Sequence, residues 1–167
     1  MKETLRVVNE LKEKGLVYDY AIGGGIAALF YIEPFLTYDL DVFIIPVGKS
    51  RQENLIVLSD LFDYLKSLGY SWKGEHIIIE GVPVQFIPAD ELEKEAVEDA
   101  RRIEYEGIPA KVVQPEYLIA ILLRAGRKKD IGKVERLMEQ TDVDREKLEW
   151  LLSRFNLKEK FNSLKED

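Results

Sequence analysis

Residues 21–44 read AIGGGIAALFYIEPFLTYDLDVFI: three consecutive glycines, Gly23 to Gly25, then thirteen residues, then Asp39 and Asp41 separated by one leucine. The glycines end one short apolar run and open another, 26–32. The aspartates sit against a third apolar run, where charge is costly. In a strand, side chains alternate faces, so Asp39 and Asp41 are expected to share a face while Leu40 takes the other.

Two carboxylates about 7 Å apart along one strand face repel unless a cation sits between them. The chain has no cysteine and a single histidine, His76, so an oxygen-held magnesium or manganese suits this pair better than zinc. A glycine loop lets backbone N–H groups approach phosphate oxygens, and a helix starting at Ile26 would aim its positive end at the same place. Glycine loop, helix start and paired acids together describe a cradle for a metal-bound triphosphate.

Outward from this segment, the pattern predicts an α/β protein. Residues 3–14 have helical spacing up to Gly15, and 17–23 read as a strand. A short helix over 26–32 ends before Pro34. The run 40–46 reads as a buried strand, and 52–68 as a strongly amphipathic helix. Two β-rich runs, 71–80 and 82–88, flank the Glu80-Gly81 turn signal, and 111–113 is a further strand. After Pro115 helices are expected at 115–125, 128–140 and 144–155, with a tail beyond Asn156 frayed or loosely docked. The shift near Gln114 divides the chain into a sheet domain, 1–114, and a helical region, 115–167, packed on it.

Of the 167 residues 46% are hydrophobic and 33% charged, which excludes a disordered chain. The net charge of −7 argues against broad, nonspecific nucleic-acid binding. No apolar run approaches a membrane span, and the start, Met1-Lys2-Glu3, is unlike a signal peptide; a cytoplasmic location is expected, with no membrane partner.

Three other signals carry less weight. Gly48-Lys49-Ser50 ends like a phosphate-binding P-loop, but Phe43 stands where that motif needs glycine, so a loop is expected. Arg124, Arg127, Lys128, Lys129, Lys133 and Arg136 form a basic cluster, read first as a solvated face and second as a site for triphosphate or an RNA end. His76 could approach the site, but a satisfied structural histidine is the preferred reading.

Gly24-Gly25, thirteen residues and Asp39-Leu40-Asp41-Val42 resemble the signature of the DNA polymerase β-like nucleotidyltransferase superfamily. With Thr37 ahead of the acids, this segment and the later VVQPEYLIAILLRAGRKKDIGKVERLM (112–138) are similar to its small abortive-infection (AbiEii-type) toxin branch. The resemblance implies a nucleotidyltransferase-like mixed sheet flanked by helices, with a C-terminal helical region. It implies metal-dependent transfer of a nucleotidyl group from a nucleoside triphosphate to RNA, a protein side chain or a small molecule such as an antibiotic. Asp39 and Asp41 would be the catalytic, metal-holding pair, and Gly24 and Gly25 the phosphate site, with Thr37 supporting the loop. The branch adds a toxin–antitoxin role with an antitoxin partner.

The chain departs from that pattern at four polar positions. Gln85 stands where a third carboxylate is usual, Phe35 where an arginine is common, Leu122 where a lysine is, and Lys133 where an acid follows Asp130. An amide cannot take a proton. The alternative expectation is therefore a catalytically impaired module of the same fold that binds nucleotide or a partner, unless Asp90, Glu80 or basic residues elsewhere fill the gaps.

Overall fold

The computed structural model describes residues 1–48 and 50–164. Lys49, in the middle of the Gly48-Lys49-Ser50 reading, lies outside them. The fold is a seven-stranded mixed sheet flanked by eight helices among the described residues. In chain order the elements are α1 (Lys2–Glu13), β1 (Asp19–Gly23), α2 (Gly24–Ala28), β2 (Leu40–Ile45), α3 (Arg51–Ser67), β3 (Ser71–Lys73), β4 (His76–Ile79), β5 (Val82–Pro88), α4 (Glu91–Glu98), β6 (Arg101–Tyr105), β7 (Ile108–Val112), α5 (Pro115–Ala125), α6 (Lys128–Gln140), α7 (Arg145–Arg154) and α8 (Lys158–Ser163).

The strand order is β3-β4-β5-β2-β1-β7-β6, with β2/β5 and β1/β7 parallel and the other neighbours antiparallel. The central strands β1 and β2 are nearly all apolar and buried, as sheet strands covered on both faces must be. Their register sets Gly23 opposite Asp41, while Gln85 of β5 partners Asp41 on the other side. The end of β1, the start of β2 and the middle of β5 thus meet at one place. That place is the floor of the candidate site.

Helix α5 is the hub of the helical part. Pro115 opens it, residues 116–123 are all buried, and Gly126 closes it at φ 68°, a left-handed turn that favours glycine. Its partner α6 begins two residues later and buries Asp130, Val134 and Leu137.

Several boundaries differ from expectation for identifiable reasons. Helix α2 starts at Gly24, two residues early, and ends at Ala28 rather than Ile32, giving way to turns that bring the chain round to Pro34. The run 71–80 is two strands, because Gly74 (φ 64°) turns it into a hairpin. Helix α3 is capped by Ser50 and Glu53 but buries only Leu61 and Leu65, leaving Leu55 and Ile56 exposed, so it is less amphipathic than its spacing implies. Helix α4 and strand β6 were not anticipated; Asp90 caps α4, and Leu92, Ala96 and Val97 are its buried stripe. The tail beyond Asn156 forms α8, and Leu157 at its cap is 3% exposed, so this segment is docked rather than frayed.

Candidate functional site

The three glycines are each required by a contact. A Cβ on Gly23 would lie 2.2 Å from the Phe43 ring, one on Gly24 2.2 Å from Asp41 Oδ2, and one on Gly25 2.7 Å from Thr37 Oγ1. Gly24 also has φ 59°, which disfavours a side chain. The glycine backbone is therefore pressed directly against Asp41 and Thr37. Sequence reasoning placed these residues near one another; it did not foresee that the glycines make room for the acid itself.

Asp39 and Asp41 face one cavity of about 470 Å³, whose wall also includes Gly24, Gly25, Thr37 and Gln85. All five residues singled out from the sequence meet there. Asp41, the second residue of β2, is half-buried, whereas Asp39 lies just before the strand with its side chain 54% exposed. Burial pushes the Asp41 carboxyl above its ordinary value, and the neighbouring Asp39 charge adds to the rise. His76, Arg127 and Lys129 pull the other way.

The loop carrying Thr37 and Asp39 is held from behind by α6. Gln140 accepts from the Glu33 backbone N–H (2.8 Å), and Arg136 donates to the Glu33 carbonyl (3.0 Å). Lys133 and Arg136 also lie over the Phe35 ring, at 5.6 and 5.4 Å. The aromatic at position 35 is thus a seat for cations of α6.

Opposite the acids, the α5–α6 junction supplies positive charge. Arg127, Lys129 and Lys133 line the cavity, together with Leu122 and Arg124. Asp130, 1% exposed, accepts from Arg127 Nε at 2.6 Å and from its backbone N–H at 3.3 Å, which fixes that arginine at the helix start. Burial lowers the Lys133 ammonium, with Asp130 opposing. Of the basic cluster, three members beside Arg124 face the acids instead of forming only a solvated surface.

Two further residues of the wall are His76, weighed from the sequence, and Glu93, which it did not single out. The approach to the site is seen: His76 Nε2 is 3.5 Å from Asp39 Oδ2, β4 being carried toward β2 by its pairing with β5. Glu93, on the unanticipated helix α4, is 5% exposed and lines the cavity. The Asp90 cap followed by an apolar stripe was the available signal for that helix. The gap-fillers considered from sequence lie elsewhere: Asp90 caps α4 and pairs with Arg124 (2.6 Å), and Glu80 accepts from the Tyr70 hydroxyl (2.7 Å).

Among the described residues no group of three or more His, Cys, Asp or Glu side chains could hold a metal ion. Two carboxylates beside an amide oxygen still fit one hard divalent cation. Magnesium is commonly held by one or two protein carboxylates, with waters and substrate phosphates completing its shell. The like-charge repulsion felt by Asp41 is what such an ion would relieve.

The fold is shared with solved structures. The antibiotic-resistance factor ANT(2'')-Ia in solution superposes with a TM-score of 0.52 at 17% identity, over 98% of this chain and 94% of that one. A crystal structure of ANT(2'')-Ia in complex with adenylyl-2''-tobramycin gives 0.51 at 17%, over 91% and 96%. At that identity the likeness establishes architecture. None of the curated proteins matches the chain in sequence. The family model that does match covers residues 1–167, and by it the chain belongs to the family described as "Nucleotidyl transferase of unknown function (DUF2204)".

Proposed function

We propose that this protein transfers a nucleotidyl group from a nucleoside triphosphate to the hydroxyl of a small-molecule acceptor, with a divalent cation held by Asp39 and Asp41. The observation that carries the reading is the shared cavity: paired acids, the Gly24-Gly25 backbone with Thr37, and the cations Arg127, Lys129 and Lys133 all line it. A triphosphate needs both a cation and fixed positive charge around it, and this wall supplies room for both.

Each residue has a task. The Gly24-Gly25 backbone receives phosphate oxygens, and Thr37, in contact range of Gly25, keeps that loop open. Arg127, Lys129 and Lys133 neutralise charge on the departing pyrophosphate, Arg127 being held in place by Asp130. Magnesium or manganese, when bound by Asp39, Asp41 and the Gln85 oxygen, supplies Lewis-acid polarisation of the phosphoryl oxygens. The volume, about 470 Å³, suits a nucleotide's phosphates and a small acceptor better than a folded macromolecule. ANT(2'')-Ia, bound to adenylyl-2''-tobramycin, supports the choice of a small polyhydroxyl acceptor over RNA or a protein side chain.

A specific observation favours a second reading. Gln85, not a carboxylate, is the strand partner of Asp41, so the site would bind nucleotide without turning it over if no other residue accepts the proton. The test is incubation with ATP, GTP, CTP and UTP in turn, with magnesium or manganese and a panel of aminoglycoside and other polyhydroxyl acceptors. Pyrophosphate release with acceptor modification supports transfer. Metal-dependent binding without release supports the binding module, and absence of nucleotide binding refutes both. A cytoplasmic toxin role with an antitoxin partner rests on the AbiEii-type resemblance alone. Growth arrest on expression, relieved by a co-expressed neighbouring gene, is the observation it requires.

A further inference from the structure

Nucleotidyl transfer needs a group to take the acceptor's proton. Asp39 and Asp41 are committed to the cation in the reading above, and Gln85 beside them has no basic oxygen. Three other carboxylates reach the cavity wall: Glu75, Asp130 and Glu93. Glu75 is an exposed residue in the hairpin turn, free to be hydrated. Asp130 is locked by Arg127 through both its oxygens, at 2.6 and 3.3 Å. Glu93 differs from both. It is 5% exposed, sits in the first turn of α4 just after β5, and lines the cavity in contact with Arg124.

We propose that Glu93 is the general base of this site, taking over the task that Gln85 cannot perform. The step balances as follows. The acceptor O–H gives its proton to the Glu93 carboxylate while its oxygen bonds to the α-phosphorus. The bond from that phosphorus to the bridging oxygen breaks, and pyrophosphate leaves with the electron pair. Glu93 then releases the proton to solvent.

The surroundings suit the role. One arginine fork orients the side chain: Arg124 Nη2 donates to Glu93 Oε1 at 3.1 Å while Nη1 holds Asp90 Oδ2 at 2.6 Å. Burial and the nearby Asp90 charge push the Glu93 carboxyl up to about 7, with Arg124 opposing. A base near the working pH combines a usable ionised fraction with a strong pull on the proton. Asp90 on its own element and Arg124 from α5 are the charged groups that bear on it most. His76, beside Asp39 on the far strands, is the rival proton acceptor.

The inference rests on the nucleotidyl-transfer reading, and the experiment separates the two. Wild type, Glu93→Gln, Glu93→Asp and His76→Gln are given each of ATP, GTP, CTP and UTP with magnesium, with water and then with the polyhydroxyl acceptor panel above. Pyrophosphate release is followed from pH 5.5 to 9, and nucleotide binding by calorimetry. Wild-type turnover should rise about tenfold per pH unit and level off above about 7. Glu93→Gln keeps the size and the Arg124 contact; its rate should fall by about 10²–10⁴-fold, lose the acidic limb, and leave nucleotide affinity within about twofold. Glu93→Asp should restore part of the rate together with the limb, and it carries the test if the glutamine variant does not fold. Glu93→Gln as fast as wild type, an acidic limb lost only in His76→Gln, or nucleotide bound by wild type without any pyrophosphate release each overturns Glu93 as the base. Nucleotide unbound by wild type overturns the parent reading itself.

Discussion

Placing a carboxylate at Gln85 tests the electrostatics of the site without relying on turnover. Gln85 and Asp41 are register partners on parallel strands, which run about 4.8 Å apart. Gln85→Asp therefore sets a second charge about 5 Å from Asp41, worth about 3 kcal/mol of repulsion at an effective dielectric of about 20. Asp41 already carries a raised carboxyl, so part of that cost appears as further protonation and the rest as lost stability. For a chain of this length 1 kcal/mol shifts the melting temperature by about 2–4 °C, so about 6–12 °C is the ceiling on how much lower the metal-free variant should melt. Magnesium should recover most of the loss and bind more tightly, because an anionic ligand replaces a neutral one. The assay is a pair of thermal melts, with and without magnesium, beside a calorimetric titration. Gln85→Asn serves as the uncharged control for the shortened side chain. Unchanged apo stability and magnesium affinity in the aspartate variant would refute the placement of Gln85 beside the metal-binding charge. A loss that magnesium does not recover would mean that no cation sits between these residues.

Three further outcomes follow from particular contacts. Gly24→Ala puts a Cβ 2.2 Å from Asp41 Oδ2 at φ 59°, so magnesium affinity should fall more than about tenfold; Gly15→Ala, at φ 72° with nothing within 4 Å, should show only the backbone penalty of about 1–2 kcal/mol in a melt. Glu93, raised from 4.5 to about 7, favours the protonated native state, so its contribution to stability is present below about 4.5 and is lost as pH climbs to about 7. Urea melts at pH 5 and pH 8 should show a decline of up to about 3 kcal/mol, absent in Glu93→Gln. Leu157→Ala, at a side chain 3% exposed, should cost about 2–5 kcal/mol in the same assay, and a cost near zero would favour the frayed alternative of the frayed or loosely docked tail expected from sequence.

What could be read from the sequence was local. Gly23 to Gly25 followed by Asp39 and Asp41 is one continuous strand–turn–loop–strand unit, and its parts meet because β1 and β2 pair with Gly23 opposite Asp41. Helices α5 and α6 were legible to the residue because their ends carry strong signals, Pro115 at the start of one and Gly126 between them. Strand β6 was not, since three of its five residues, Arg101, Arg102 and Glu104, are charged and it lies on a sheet edge, so it resembles a polar loop. The same weakness hid the break at Gly74, where the run of β-prone residues on either side outweighed one glycine in a turn.

The half of the site that sequence did not reveal is the half assembled across long separations. His76 reaches Asp39 only because β4 and β5 form a hairpin whose second strand lies parallel to β2. Glu93 reaches the cavity only because α4 packs against β1 and β2 before the chain returns for β6. Arg124 orients Glu93 from a helix that starts more than twenty residues later. No spacing rule links these residues, since each depends on strand order and not on distance along the chain. Gln85 alone therefore suggests a binding module, because an amide is visible at its own strand position while a buried carboxylate on the next helix is not. A buried glutamate held by one arginine, on the helix that follows the strand of Gln85, is the kind of group the proposed base requires.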